Sequence, residues 1–187
     1  DIALMRTIPG MTVINPSDGV SAKKLLEQAV TMEGPCYVRL GRAKVPVFYE
    51  DSDQLTLGRG NLVRDGKDVT IVATGIMVSE AMAAAEKLKE DGIDARIIDI
   101  HTIKPIDEEI LIKAAQETGA IVTAEEHSII GGLGSAVAEV IVKNCPVKMA
   151  MVGQKDTYGE SGKPDELKKK YGMTAEDIEA AVKNLIG

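Results

Sequence analysis

The chain has 187 residues, 44% of them hydrophobic, and a net charge of −7. That length buries a core of ordinary size in one domain, or in one domain plus a piece of another. The acidic balance argues against nucleic acid as the main partner, and no apolar run approaches the roughly 20 residues that span a bilayer. With no signal peptide at the start, the expectation is a soluble cytoplasmic protein without membrane contact.

Asp1–Arg6 reads as the tail of a helix, ended by Thr7-Ile8-Pro9-Gly10. Met11–Ile14 follows as a strand, and Asn15-Pro16-Ser17-Asp18 as a turn holding a helix N-cap. Leu25, Leu26, Ala29 and Val30 give the next helix an apolar face, and Cys36–Leu40 is a second strand. Two strands and a helix cannot enclose a core, so residues 1–48 are expected to be the end of a domain whose beginning is missing. This segment carries six Lys/Arg against four acids, a net +2, which leaves −9 on the remainder. Residues 49–60 read as a linker, broken up by Glu50, Asp51, Asp53 and Gly58.

From residue 61 to 187 a full alternation runs. Asn61–Arg64 is a short strand before the Asp65-Gly66 turn, and Val69–Ala73 is a strand. Ser79–Glu90 is a helix, Ala95–Ile100 a strand, and Asp107 caps a helix through Glu117. Ala120–Ala124 is a buried strand that turns through Glu125-Glu126-His127 into a loop with Gly131, Gly132 and Gly134, and a helix starts at Ser135. Val147–Val152 is a strand, followed by helices over Pro164–Tyr171 and Ala175–Ile186. The last sits behind a Thr174/Asp177 capping box. The expected architecture is a three-layer α/β/α sandwich on a mostly parallel five-stranded sheet, preceded by a partial α/β domain.

The glycines of 131–134 invite a dinucleotide reading that their spacing rejects. From Gly132 a G-x-G-x-x-G pattern reaches Gly134 but then meets Val137, and from Gly131 the second position is Leu133. Glu125 and Glu126 would also repel a pyrophosphate. Close packing of the helix start against a neighbouring strand or domain explains the glycines better. Cys36 and Cys145 each lie beside a proline among apolar neighbours and read as buried free thiols in a reducing compartment.

Asp99 ends a strand, where a phosphoacceptor would sit. The strand Val69–Ala73 ends without the acidic pair that such a site needs for its cation, so a solvated or capping aspartate is expected. His101 and His127 are the two histidines. Two acids precede His127, yet no serine or cysteine nucleophile pairs with it, and a structural role where domains or subunits meet is expected. Arg39, Arg42 and Lys44 follow the strand in VRLGRAKVP. They could hold a phosphate, since guanidinium offers a permanently charged bidentate fork, or form an ordinary solvated basic loop.

DIALMRTIPGMTVINPSD, residues 1–18, and GPCYVRLGRAKVP, residues 34–46, resemble the pyrimidine-binding domain of transketolases. DARIIDIHTIKPID, residues 94–107, and AEEHSIIGGLGSAVAEV, residues 124–140, resemble the transketolase C-terminal domain. The second motif is shared by deoxyxylulose-phosphate synthase and 2-oxo acid dehydrogenase β subunits. The resemblance implies transfer of a two-carbon ketol unit from a ketose phosphate to an aldose phosphate, with thiamine diphosphate and Mg²⁺, at a site between subunits of a dimer. It places substrate-phosphate binding at Arg42, with Arg39 as a weaker neighbour. The family's catalytic glutamate lies upstream of Asp1, and its metal- and diphosphate-binding motif belongs to a separate domain. No catalytic, cofactor or metal residue is therefore assigned in this chain, which is expected to bind no cofactor alone. The expectation is an inactive fragment, or the C-terminal subunit of a split enzyme. It would associate as a homodimer or with an N-terminal transketolase section. The C-terminal region of a deoxyxylulose-phosphate synthase, or of the β subunit in a 2-oxo acid dehydrogenase, remains open, as does a dimerisation module that never touches substrate.

Overall fold

The fold is taken from a computed structural model, which describes residues 1–42 and 44–187. Helix α1 (Ile2–Thr7) leads to strand β1 (Thr12–Ile14), helix α2 (Gly19–Thr31) and strand β2 (Cys36–Val38). Asp18 starts α2 by accepting from the amide of Ser21, whose hydroxyl accepts in return from the amide of Asp18, so two otherwise orphaned donors are met reciprocally. Strands β3 (Asn61–Arg64), β4 (Val69–Ala73) and β5 (Ala95–Asp99) follow, with helix α3 (Met77–Glu90) between the last two. Next come β6 (Thr102–Lys104), α4 (Glu108–Thr118), β7 (Ala120–Ser128), α5 (Leu133–Asn144), β8 (Lys148–Gln154), α6 (Pro164–Lys170) and α7 (Ala175–Ile186).

The main sheet has the order β3-β5-β4-β7-β8, with β3 antiparallel to β5 and every other pair parallel. Its central strand β4 is buried at every position, as a strand covered on both faces must be. Side chains alternate between two cores. Ile71, Ala73, Ile97 and Val122 face α3 and α7 through Met77, Leu88, Ile178 and Val182. Val72, Ile98 and Ile121 face α4 and α5 through Leu111, Leu133, Val137 and Ile141. This is the expected three-layer sandwich. The second core runs on into the N-terminal segment through Ile2 and Val13.

Strand β6 has no counterpart in the sequence reading. It pairs antiparallel with β1 (Val13↔Lys104, Ile14↔Thr102), and β1 pairs parallel with β2, giving a three-stranded sheet β2-β1-β6. A strand from the later part of the chain thus completes the sheet of the earlier part. Strand β7 is also longer than expected. Glu125-Glu126-His127, read as a turn, continues the strand to Ser128, which pairs with Gln154 of β8. The connection before β3 has no helix or strand among its described residues, but α2 straps it down. Lys24 Nζ donates to the carbonyls of Asp51 and Asp53 at 2.6 Å, and the Gln28 amide group brackets Leu55 and Leu57. Among the described residues no helix is long and apolar enough to cross a membrane.

Candidate functional site

Arg39 and Arg42, which follow β2, line an open cleft of about 490 Å³ with Asp1, Tyr37 and Glu126. Arg39 is largely buried there, with 22% of its side chain exposed, and three of its donors are engaged. Nε donates to Asp1 Oδ2 at 3.1 Å, one terminal nitrogen to Glu126 Oε2 at 3.3 Å, and the other to the Glu126 carbonyl at 3.1 Å. The Arg39 amide donates to Ile14, holding the end of β2 against β1. Arg42 lies in the same cleft, three residues on, and is exposed. Among the described residues no carboxylate pairs with it. Lys44 is exposed and lies outside the cleft lining. Of the three cations, the structure therefore brings Arg39 and Arg42 together. The Glu126 counter-charge, 87 positions from Arg39, was not apparent from the sequence.

The segment from Glu125 to Gly134 is built around a buried carboxylate. Glu125 has no exposed surface. Its two oxygens accept from the amides of Leu133 and Gly134 at 2.7 and 2.8 Å. These are the first free donors of α5, and the helix dipole favours negative charge there. The place a pyrophosphate would take in a dinucleotide fold is filled by the protein's own anion. The glycines serve this packing, as expected. A Cβ at Gly132 would run into Glu125 Oε2, one at Gly134 would come within 2.8 Å of Met151 Sδ, and one at Gly131 within 2.9 Å of Ala3 Cβ on α1.

His127 faces the same α1. Its Nδ1 lies 2.7 Å from the Ser128 carbonyl, so the proton belongs there, and Nε2 accepts from the Ala3 amide at 3.4 Å. Arg6 of α1 donates to the Gly131 carbonyl at 2.8 Å and pairs with Glu139 of α5 at 2.7 Å. His127 thus sits where the N-terminal segment meets the main sheet. No nucleophilic side chain is within its hydrogen-bond reach among the described residues.

Asp99 overturns the expectation of a solvated or capping residue. It is fully buried. Its Oδ2 accepts from Ser17 Oγ at 2.6 Å and Tyr49 Oη at 3.0 Å, while Oδ1 has no partner among the described residues. Burial pushes its carboxyl up to about 7, against the lowering effect of those two hydroxyls and with the nearby Asp18 charge adding to the rise. Asp18 behaves oppositely. Burial works to raise it, but the amides of Ser21, Tyr49 and Phe48 and the Ser21 hydroxyl hold it below the usual range. His101 is buried, and desolvation pulls its imidazole down to about 4 despite the charge of Asp107. Cys36 and Cys145 are free thiols as expected, but partly rather than fully buried.

Comparison with known proteins defines the class first. Residues 58–178 match the transketolase C-terminal domain, and residues 1–47 match the transketolase pyrimidine binding domain. The chain belongs to the transketolase family.

Among its relatives, it is 49% identical over 178 residues to the 6-deoxy-6-sulfo-D-fructose transketolase subunit of Clostridium sp. (strain MSTE9), covering 95% of this chain and 55% of the relative. It is 44% identical over 179 residues to an apulose-4-phosphate transketolase subunit of Phocaeicola vulgatus, covering 95% of this chain and 57% of the relative. A solved structure described as a split gene transketolase, inactive beta4 tetramer, superposes with a TM-score of 0.96 at 48% identity, over 99% of this chain and 61% of that one. The chain spans about half the length of the curated relatives it matches.

Thiamine diphosphate is the family's cofactor. Among the described residues no three His, Cys, Asp or Glu side chains gather to hold a cation, and Asp1 and Glu126 border the basic cleft. Without such a cluster the described side chains do not fit the cation of a metal–diphosphate group, and no step involving that group is assigned to them.

Proposed function

We propose that the chain is one section of a transketolase that moves a two-carbon ketol unit between phosphorylated sugars, and that Arg42 binds the substrate's terminal anionic group. The observation that carries this reading is the position of Arg42, exposed in an open cleft of about 490 Å³, with no carboxylate paired to it among the described residues. A permanently charged planar fork suits a tetrahedral oxyanion. Two relatives are named for a sulfonated and a phosphorylated sugar. Both names put a tetrahedral anion, a sulfonate or a phosphate, on the sugar.

Residues 1–48 act as the end of the pyrimidine-binding domain, 49–60 as the connection, and 61–187 as the C-terminal domain. Thiamine diphosphate and Mg²⁺ bind to a further section of the enzyme, with which this chain assembles, either as a homodimer of complete units or as one subunit of a split enzyme. The cofactor supplies the carbanion chemistry, and this chain supplies the anion site and an assembly surface. The chain alone is inactive. The test is ketol transfer from a ketose phosphate to ribose 5-phosphate, measured with this chain alone and after mixing with the cofactor-bearing section. Turnover only in the mixture is expected, and turnover by the isolated chain would overturn the assignment.

A further inference from the structure

Arg39 and Arg42 look like a pair that would act together on an anion, but the geometry gives them different work. Arg39 spends three donors on protein acceptors, two of them on Glu126 of β7 and one on Asp1. Its amide is also committed, to Ile14 of β1. Its single positive charge is more than offset by the two carboxylates. The bonds to Glu126 join a residue at the exit of β2 to the far end of a main-sheet strand, across a gap of 87 positions. Leu40, Gly41 and Arg42 leave this point with no regular structure, and Leu40 stands 57% exposed. Gly41 adds backbone freedom to the run. Among the described residues no hydrogen bond or ion pair holds Leu40, Gly41 or Arg42, and the Arg39 fork is the nearest described anchor before Arg42.

We infer that Arg39 is a positioning residue: its guanidinium ties the exit of β2 to Glu126 and so sets the place from which Arg42 meets the anionic end of the substrate. This deepens the proposed function and rests on the assignment of Arg42. It makes the main sheet, through Glu126, a determinant of anion specificity in a cleft otherwise built from the N-terminal segment. Geometry rather than charge is what Arg39 contributes, because a lysine carries the same charge but cannot donate in three fixed directions.

The test compares Arg39→Lys, Arg39→Gln and Arg42→Gln in the full chain. Two readouts are used: the dissociation constant for inorganic phosphate by calorimetric titration, and the backbone ¹⁵N order parameters of Leu40, Gly41 and Arg42. Positioning by the fork predicts that Arg39→Lys and Arg39→Gln weaken phosphate binding by a similar few-fold factor. Both should lower the order parameters of those three residues while the main sheet stays unchanged. If Arg39→Lys keeps wild-type affinity and order, charge suffices and the inference falls. It also falls if Arg39→Gln loses phosphate as fully as Arg42→Gln with order parameters unchanged, for Arg39 would then be a direct ligand. If phosphate fails to bind the wild type, or Arg42→Gln binds it unchanged, the Arg42 assignment fails instead, and the order parameters still decide whether the clamp exists.

Discussion

Replacing Glu125 by glutamine probes the segment on which both α5 and the α1 contact depend. The carboxylate is fully buried and accepts from the Leu133 and Gly134 amides at 2.7 and 2.8 Å. In Glu125→Gln one oxygen becomes an NH₂ group, and one of the two backbone donors faces another donor. Losing a charge-assisted bond and leaving a buried donor unmet costs about 1.5–3 kcal/mol. Losing the negative charge at a helix N-terminus costs roughly 1 kcal/mol more, up to about 2 in buried geometry. The expected loss is about 3–4 kcal/mol, a large share of the roughly 5–15 kcal/mol that keeps a domain folded. Urea denaturation followed by circular dichroism reads it as a lower midpoint at unchanged slope. A loss below about 1 kcal/mol would show that the carboxylate is not capping α5, and the account of this segment would be wrong.

Two further predictions concern pH and backbone packing. Asp99 holds its proton up to about 7 in the folded state, against an ordinary value of 3.8. Between those values the folded protein binds a proton that the unfolded chain has released, so this group makes stability fall as pH rises through the window, by about 4 kcal/mol in all. His101, pulled down to about 4 from 6.5, acts with the opposite sign, its contribution being lost as pH falls from 6.5 to 4. Asp99→Asn removes the first effect and should unmask stability that rises with pH from 4 to 6.5; denaturation profiles parallel to the wild type would refute the titration of Asp99. Gly66→Ala should destabilise by about 2–3 kcal/mol, in the range of an overpacked core, because the added methyl meets the Ala95–Arg96 backbone rather than a movable side chain. Thermal denaturation measures this, and an unchanged melting temperature would contradict the packing of the Asp65-Gly66 turn on β5.

What the sequence made legible were features that local chemistry decides. The apolar run Val69–Ala73 read as a strand, which the structure buries throughout, and the Thr174/Asp177 pair marked the start of α7 where the structure has it. Strand β6 escaped because Thr102-Ile103-Lys104 is too short to show a period and its partner β1 lies some ninety positions earlier. The polar Glu125–Ser128 looked like a turn, because nothing local reveals that a buried glutamate faces a helix end. Asp99 looked solvated since its partners Ser17 and Tyr49 come from two distant segments. The cations at 39 and 42 were visible in the sequence, but the difference between them rests on Glu126, a contact that only the fold creates.

In the proposed function Arg42 takes the substrate's anionic end. It is tested most directly by steady-state ketol transfer in the assembled enzyme, with wild type and Arg42→Gln each given ribose 5-phosphate and unphosphorylated ribose as acceptors. The variant should raise KM for ribose 5-phosphate by about ten- to a hundredfold, since a charge-assisted bond is worth about 1.5–3 kcal/mol, while kcat and the kinetics with ribose stay near wild type. Equal losses with both acceptors, or no change with either, would contradict it.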